Sequence, residues 1–199
     1  RTLGIDSAPA MLNQAKTLME PGLEFREEKI EDFLEQEKFD LVFSNAALQW
    51  LGDHEALLPR IFELVAPFGQ IAIQVPANFD HPSHTLAQEI AKELIGELPK
   101  NPPTQPSLLP VERYAEILFK NSFTEQRCRM EVYLHPMQSG NEVVEWTRGT
   151  LLTSYENMLG AEKFTIFLQE YRERLQRKIG KGPYAYPFKR ILIWGKKGL

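Results

Sequence analysis

Residues 1–76 alternate short apolar runs with amphipathic stretches, and the sharpest run is Phe39-Asp-Leu-Val-Phe-Ser-Asn-Ala-Ala-Leu-Gln-Trp50. Its first half, Leu41-Val42-Phe43, is continuously apolar and reads as a buried strand. It turns polar at Ser44 and Asn45, then presents Leu48, Gln49 and Trp50. Two readings fit. One is a core strand followed by an ordinary loop. The other is a strand ending at a ligand, because open α/β sheets bind ligands beyond the carboxyl ends of their strands. The surrounding order narrows the fold. Thr2–Asp6 reads as a strand and Ser7 as a helix N-cap, with Pro9 in the first turn. A helix runs on to the breaker Pro21-Gly22, and Leu23–Phe25 is a second strand. Glu31–Leu34 offers one helical turn. Asp53 caps a helix running to Leu64 or Val65, ended by Pro67-Phe68-Gly69, and Gly69–Val75 is a strand stopped at Pro76. The order β-α-β-β-α-β, with two long crossovers, implies a mainly parallel sheet covered on both faces.

Beyond Pro76, helices are expected over His81–Leu98, Val111–Lys120, about Glu142–Thr150 and about Ala161–Ile179, with a further segment at Leu151–Leu159. Alternation at Cys128, Met130, Val132 and Leu134 marks a long strand over Phe123–Met137, and Phe188–Trp194 closes the pattern as another. Pro99–Pro110 holds five of the 14 prolines and is expected to be an irregular, stiff connection. The expected organisation is a core of residues 1–137 and 186–199, with residues 138–185 as a helical cap over one end of the sheet.

Composition excludes several classes. A net charge of −4 gives no electrostatic reason to bind nucleic acid. No apolar run approaches the roughly 20 residues that span a bilayer. No basic segment followed by a long apolar one marks a secretory signal. The single Cys128 has no partner for a disulfide or a structural zinc site, so the expected setting is reducing and cytoplasmic, with no metal. The first residues already lie inside a strand, Thr2–Asp6.

Gly4-Ile-Asp-Ser-Ala-Pro-Ala-Met-Leu, the run Asp40–Leu51 with Asp53-His54, Pro67-Phe-Gly69, Val75-Pro76, Asn78 and His84 together resemble the class I S-adenosylmethionine-dependent methyltransferases, and within them the trans-aconitate 2-methyltransferase group. A weaker likeness covers His135-Pro-Met-Gln-Ser, Glu145-Trp146, Gly149-Thr150 and Pro187. The resemblance implies an α/β, Rossmann-like sheet ordered 3-2-1-4-5-7-6 in which only the seventh strand is antiparallel. Thr2–Asp6 then corresponds to family strand 2, Phe39–Asn45 to strand 4, and Phe188–Lys196 to strand 7. Strand 1 and its glycine-rich loop have no counterpart here, and a preceding segment of roughly 50 residues is expected, about the size of a β-α lead-in. Without that strand, spacing of about 4.8 Å per strand implies a gap of roughly 10 Å between strands 2 and 4.

The same resemblance assigns the candidate site. Asp6 would accept from ribose hydroxyls, with Ser7 and Met11 beside the adenosine. A helix-capping role is the alternative for Asp6. Glu28, Lys29 and Ile30 would lie near the adenine. Lys29 stands where the family usually has Asp, and a lysine cannot accept a hydrogen bond. Asn45, Ala46 and Trp50 would line the cofactor, and Gln49 and Trp50 the boundary with the acceptor. Asn78, His84, Arg148, Tyr155 and Tyr184 are the candidate acceptor-binding residues. Thr153 stands about where the family motif has an arginine.

The reaction implied is in-line displacement, in which a carboxylate oxygen of a small acid takes the methyl group of S-adenosylmethionine and S-adenosylhomocysteine is the product. A carboxylate is already ionised near neutral pH, so no catalytic acid or base is named. Were the acceptor a phenol or an amine, His84 would be the base. Two alternatives remain open at this point. One is another acceptor, a fatty acid or carrier-bound acyl group, suited to the apolar residues Leu151, Leu152, Met158, Leu159 and Phe164. The other is a non-catalytic protein with a methyltransferase fold.

Overall fold

The computed structural model describes residues 1–98 and 108–199. Most of the proline-rich connection therefore lies outside the described residues. The chain divides into two compact units, Arg1–Phe39 and Asp40–Leu199.

In the first unit β1 (Thr2–Asp6) and β2 (Leu23–Glu27) pair in parallel, Thr2 opposite Leu23 and Asp6 opposite Glu27. A parallel pair needs a crossover, and α1 (Pro9–Ala15) supplies it, with Leu12 buried beneath. Gly4 lets the strands close up: a Cβ there would lie 2.7 Å from the Phe25 ring. The expected cap at Ser7 is not formed. Ala8 is the N-cap residue, and its amide donates to the Asp6 carboxylate at 2.7 Å. The helical turn expected at Glu31 begins two residues earlier, where the Asp32 and Phe33 amides donate to Lys29 O.

The second unit is built on a four-stranded sheet ordered β3 (Phe39–Asn45), β4 (Val65–Pro76), β6 (Tyr184–Lys197), β5 (Phe123–Met137). β6 is antiparallel to both neighbours, Pro76 facing Arg190 on one side and Met137 facing Tyr184 on the other. Each sheet reproduces its own part of the expected order. The first unit has the parallel pair of family strands 2 and 3, and the second has strands 4-5-7-6 with the seventh antiparallel. α2 (His54–Glu63) opens with Asp53, whose carboxylate accepts from Ala56 N, as expected. It ends before Leu64 because β4 already starts at Val65. The Pro67-Phe-Gly stretch expected to stop the helix is instead the start of that strand, with Phe68 at φ 62.

Two apolar clusters hold this unit. Leu57, Leu58, Ile61 and Phe62 of α2 and Tyr114, Ile117 and Leu118 of α4 (Val111–Lys120) are buried, as are Ile71, Ile73 and Val75 of β4 and Ile191 and Ile193 of β6. Phe62 meets Phe123 edge-on at 4.9 Å. The second cluster joins α3 (Pro82–Ile95), α5 (Gly140–Arg148) and α6 (Leu151–Ile179) to Met137 and Tyr186. Here Tyr155, Phe164 and Tyr171 each stack near-parallel on Phe167, at 5.2–5.9 Å. α6 is interrupted at Gly160, whose φ of 74 suits a residue without a Cβ.

One expectation fails on β3. Leu41 and Phe43 are not buried but 56% and 69% exposed. β3 is an edge of its sheet, and a continuous apolar run reports a strand without reporting what covers its faces.

Candidate functional site

β3 ends in a constrained turn. Ala46 has φ 53, the left-handed region that a side chain disfavours. Its amide donates to Gln74 O of β4 at 2.9 Å, and its carbonyl accepts from Gln49 Nε2 at 2.7 Å. Such strain persists only where the surroundings over-determine it, and it clusters at ligand sites. Two polar atoms at this strand end, Ser44 Oγ and Gln49 Oε1, are shielded from solvent and have no hydrogen-bond partner among the described residues. Asn45 is exposed, and Trp50 is 66% exposed, which removes the core reading of that tryptophan. Leu48, at 1% exposure, is the apolar anchor of the turn.

β4 ends at a buried polar cluster. Asn78 is 1% exposed. Its Nδ2 donates to Tyr186 OH at 3.0 Å and its Oδ1 accepts from Lys189 N at 2.6 Å. Both groups of its amide are thereby used inside the protein, so Asn78 is a strut joining β4 to β6 rather than the expected ligand contact. His81, Ser83 and His84 follow at the start of α3. Ser83 N–H donates to His81 Nδ1 at 3.1 Å, so that nitrogen carries no proton and His81 Nε2–H donates to Tyr184 OH at 2.9 Å. The Ser83 hydroxyl lies 2.8 Å from the same Nδ1. His84 Nδ1 lies 3.0 Å from Ser83 Oγ, so one hydroxyl links the two imidazoles. Tyr186 OH lies 3.3 Å from Ser83 Oγ, and Tyr171 OH donates to Ser83 O at 3.0 Å.

Burial holds both histidines neutral. His81 is pushed down to about 4, and so is His84, whose neighbour His81 adds to the effect. A general base serves best when its pKa lies near the working pH. His84, held near 4, is a weak base at neutral pH, so this cluster suits an acceptor that arrives already ionised.

The remaining candidates divide. Tyr184 is half-buried at the start of β6, tied to His81. Arg148 lies exposed on α5, 3.8 Å from Glu145. Tyr155 is fully buried and stacked on Phe167, so it belongs to the apolar core and not to the expected acceptor site. In the first unit Asp6, Ser7, Met11 and Lys29 are exposed, while Glu28 and Ile30 are half-buried. One Asp6 oxygen takes Ala8 N–H, a bond within the turn before α1 that is not a helix cap, and the carboxylate keeps acceptor capacity. Within the first unit, that exposed carboxylate at a strand end fits the hydroxyls of a ribose. Within the second, the strained Ala46 and the unpartnered Gln49 Oε1 fit a cosubstrate that brings hydrogen-bond donors. His81, Ser83 and Tyr186 were missed by sequence reasoning. His81 and Ser83 look like an ordinary helix start, and their partners Tyr184 and Tyr186 lie 103 residues away.

Comparison with known proteins gives the class. A family model described as "Methyltransferase domain" matches residues 1–126. The trans-aconitate 2-methyltransferase of Deinococcus radiodurans is 37% identical over 197 residues, covering 96% of this chain and 75% of its own. That of Klebsiella pneumoniae is 34% identical, covering 98% and 76%. A solved Haemonchus contortus phosphoethanolamine N-methyltransferase 2, in complex with S-adenosyl-L-methionine, shares the fold at a TM-score of 0.53 and 17% identity, over 99% of this chain and 43% of that one. The chain belongs to the S-adenosylmethionine-dependent methyltransferases of the methyltransferase-domain family, in the group of the trans-aconitate 2-methyltransferases. Among the described residues no helix is long and apolar enough to cross a membrane.

Proposed function

We propose that the protein transfers a methyl group from S-adenosylmethionine to a carboxylate oxygen of trans-aconitate or a closely similar small polycarboxylate, in the cytoplasm. The observation that carries this is the 31–37% identity to trans-aconitate 2-methyltransferases over nearly the whole chain. When bound, S-adenosylmethionine supplies a methyl group on a positively charged sulfur. Asp6 would hold the ribose, with Ser7, Met11, Glu28, Lys29 and Ile30 around the adenosine. Asn45, Ala46 and Trp50 would line the methionine end, the Trp50 ring attracting the sulfonium.

On the acceptor side Gln49, Trp50, His84, Arg148 and Tyr184 would face the acid, with residues 138–185 as the cap. The carboxylate needs no deprotonation, which agrees with two neighbouring histidines held well below neutrality. Rate then comes from alignment of oxygen, methyl carbon and sulfur. The test is a methyl-transfer assay over trans-aconitate, other di- and tricarboxylates, fatty acids and acyl carriers. Turnover of trans-aconitate supports the reading. Turnover confined to fatty acids or acyl carriers replaces the acceptor, and failure of the protein to bind S-adenosylmethionine or S-adenosylhomocysteine removes the enzymatic reading.

A further inference from the structure

We infer that His54 is a positioning residue, fixing the turn that presents Gln49 and Trp50 to the acceptor. Its consequence for turnover rests on the proposed function, and its substance is the following geometry. His54 is the first residue of α2, is 1% exposed, and has both ring nitrogens engaged. Nε2 lies 2.9 Å from Leu48 O and Nδ1 lies 2.8 Å from Tyr114 OH. A carbonyl oxygen only accepts, so Nε2 carries the proton. Leu109 N–H donates to Tyr114 OH at 3.1 Å, which leaves the phenol hydrogen for His54 Nδ1. One neutral tautomer satisfies every partner, and burial lowers the pKa of the ring in the same direction.

The relay ends on the backbone of the turn. Fixing the direction of the Leu48 carbonyl fixes the Leu48–Gln49 peptide plane, from which the Gln49 side chain starts. Gln49 in turn bonds Ala46 O with its amide and keeps Oε1 unpartnered. The strained Ala46 is thereby held from two sides, by Gln74 O on β4 and by Gln49. What singles His54 out is the partner at Nε2, a carbonyl of this turn, with the phenol at Nδ1 itself oriented by a backbone amide.

The test compares His54→Leu, His54→Gln and Tyr114→Phe by amide hydrogen exchange and by steady-state kinetics, at a temperature where each is folded. His54→Leu removes both bonds. Its amides over residues 46–52 are expected to exchange about tenfold faster, since tethers of this kind set the free energy of local opening. Its kcat with the acceptor is expected to fall roughly 10- to 100-fold through misalignment, with KM for S-adenosylmethionine within about twofold of wild type. His54→Gln keeps a donor for Leu48 O and is expected to recover most of the loss. Where His54→Leu fails to fold, Tyr114→Phe carries the test with the same signature at smaller size. Unchanged exchange over 46–52 in the folded variants overturns the inference, as does a His54→Gln enzyme no better than His54→Leu. If the wild type methylates no carboxylic acid, the acceptor reading fails, while the exchange data still decide whether His54 tethers the turn.

Discussion

Lowering the pH from 7 to 5 should destabilise the protein steeply, because His81 and His84 are held neutral in the fold. Both have folded values of about 4 against 6.5 in the unfolded chain. The folded value is depressed, so the unfolded state binds more protons. The stability involved is fully present above pH 6.5 and is lost as pH falls toward 4. At pH 5 each histidine favours the unfolded state by about 2 kcal/mol, against roughly 0.2 kcal/mol at pH 7. The pair together removes about 3–4 kcal/mol, a large share of the roughly 5–15 kcal/mol typical of a folded domain. His54, lowered by burial as well, acts in the same direction. Asp80, with its carboxylate lowered by the hydrogen bond from Lys189, stays ionised over this interval and adds nothing to the slope. The assay is urea unfolding at half-unit steps from pH 7.5 to 5, reading the extrapolated stability at each. His84→Gln removes one titrating group, so its loss between pH 7 and 5 should be smaller by about 2 kcal/mol. A wild-type stability that stays flat from pH 7 to 5 would refute the reasoning, and so would a His84→Gln curve as steep as the wild type.

Other expectations follow from particular contacts. Gly140→Ala should destabilise by more than about 1 kcal/mol, the overpacking range, because a Cβ there would collide with the Gly180 carbonyl oxygen; thermal unfolding reads this. Tyr155→Ala should cost about 3–5 kcal/mol by chemical unfolding, since the ring is fully buried and stacked on Phe167, whereas Tyr155→Phe should leave acceptor KM within about twofold. Asp6→Ala should raise the dissociation constant for S-adenosylhomocysteine roughly 10- to 100-fold by calorimetry, the cost of losing charge-assisted bonds to the ribose, and unchanged binding would remove Asp6 from the site.

The legible parts of the fold are those with a strong local period. β5 and α4 have the bounds that the sequence predicts, because alternation at Cys128–Leu134 and the apolar stripe of α4 are local signals. The antiparallel seventh strand and the strand order come with the family resemblance, which period alone does not supply. Burial is less legible: the run Leu41–Phe43 says strand, but whether its side chains are exposed depends on what covers the faces of the sheet. The polar cluster beyond β4 is the least legible part. Asn78 and Tyr184 both read as ligand contacts in the sequence, and only the fold reveals that Asn78 is consumed by Tyr186 and Lys189, 108 and 111 residues away. Tyr155 misleads for the opposite reason, since a phenol in a helix can pack its ring in the core as readily as it can face a ligand.

The enzymatic claim is tested most directly by mass spectrometry of the small-molecule products after incubation with S-adenosylmethionine and trans-aconitate. A monomethyl ester of trans-aconitate should form alongside an equal amount of S-adenosylhomocysteine, at a rate that does not depend on a group titrating near neutral pH. Methyl transfer to a different acceptor with no trans-aconitate ester formed, or a rate that rises with deprotonation of a base near neutrality, would contradict it.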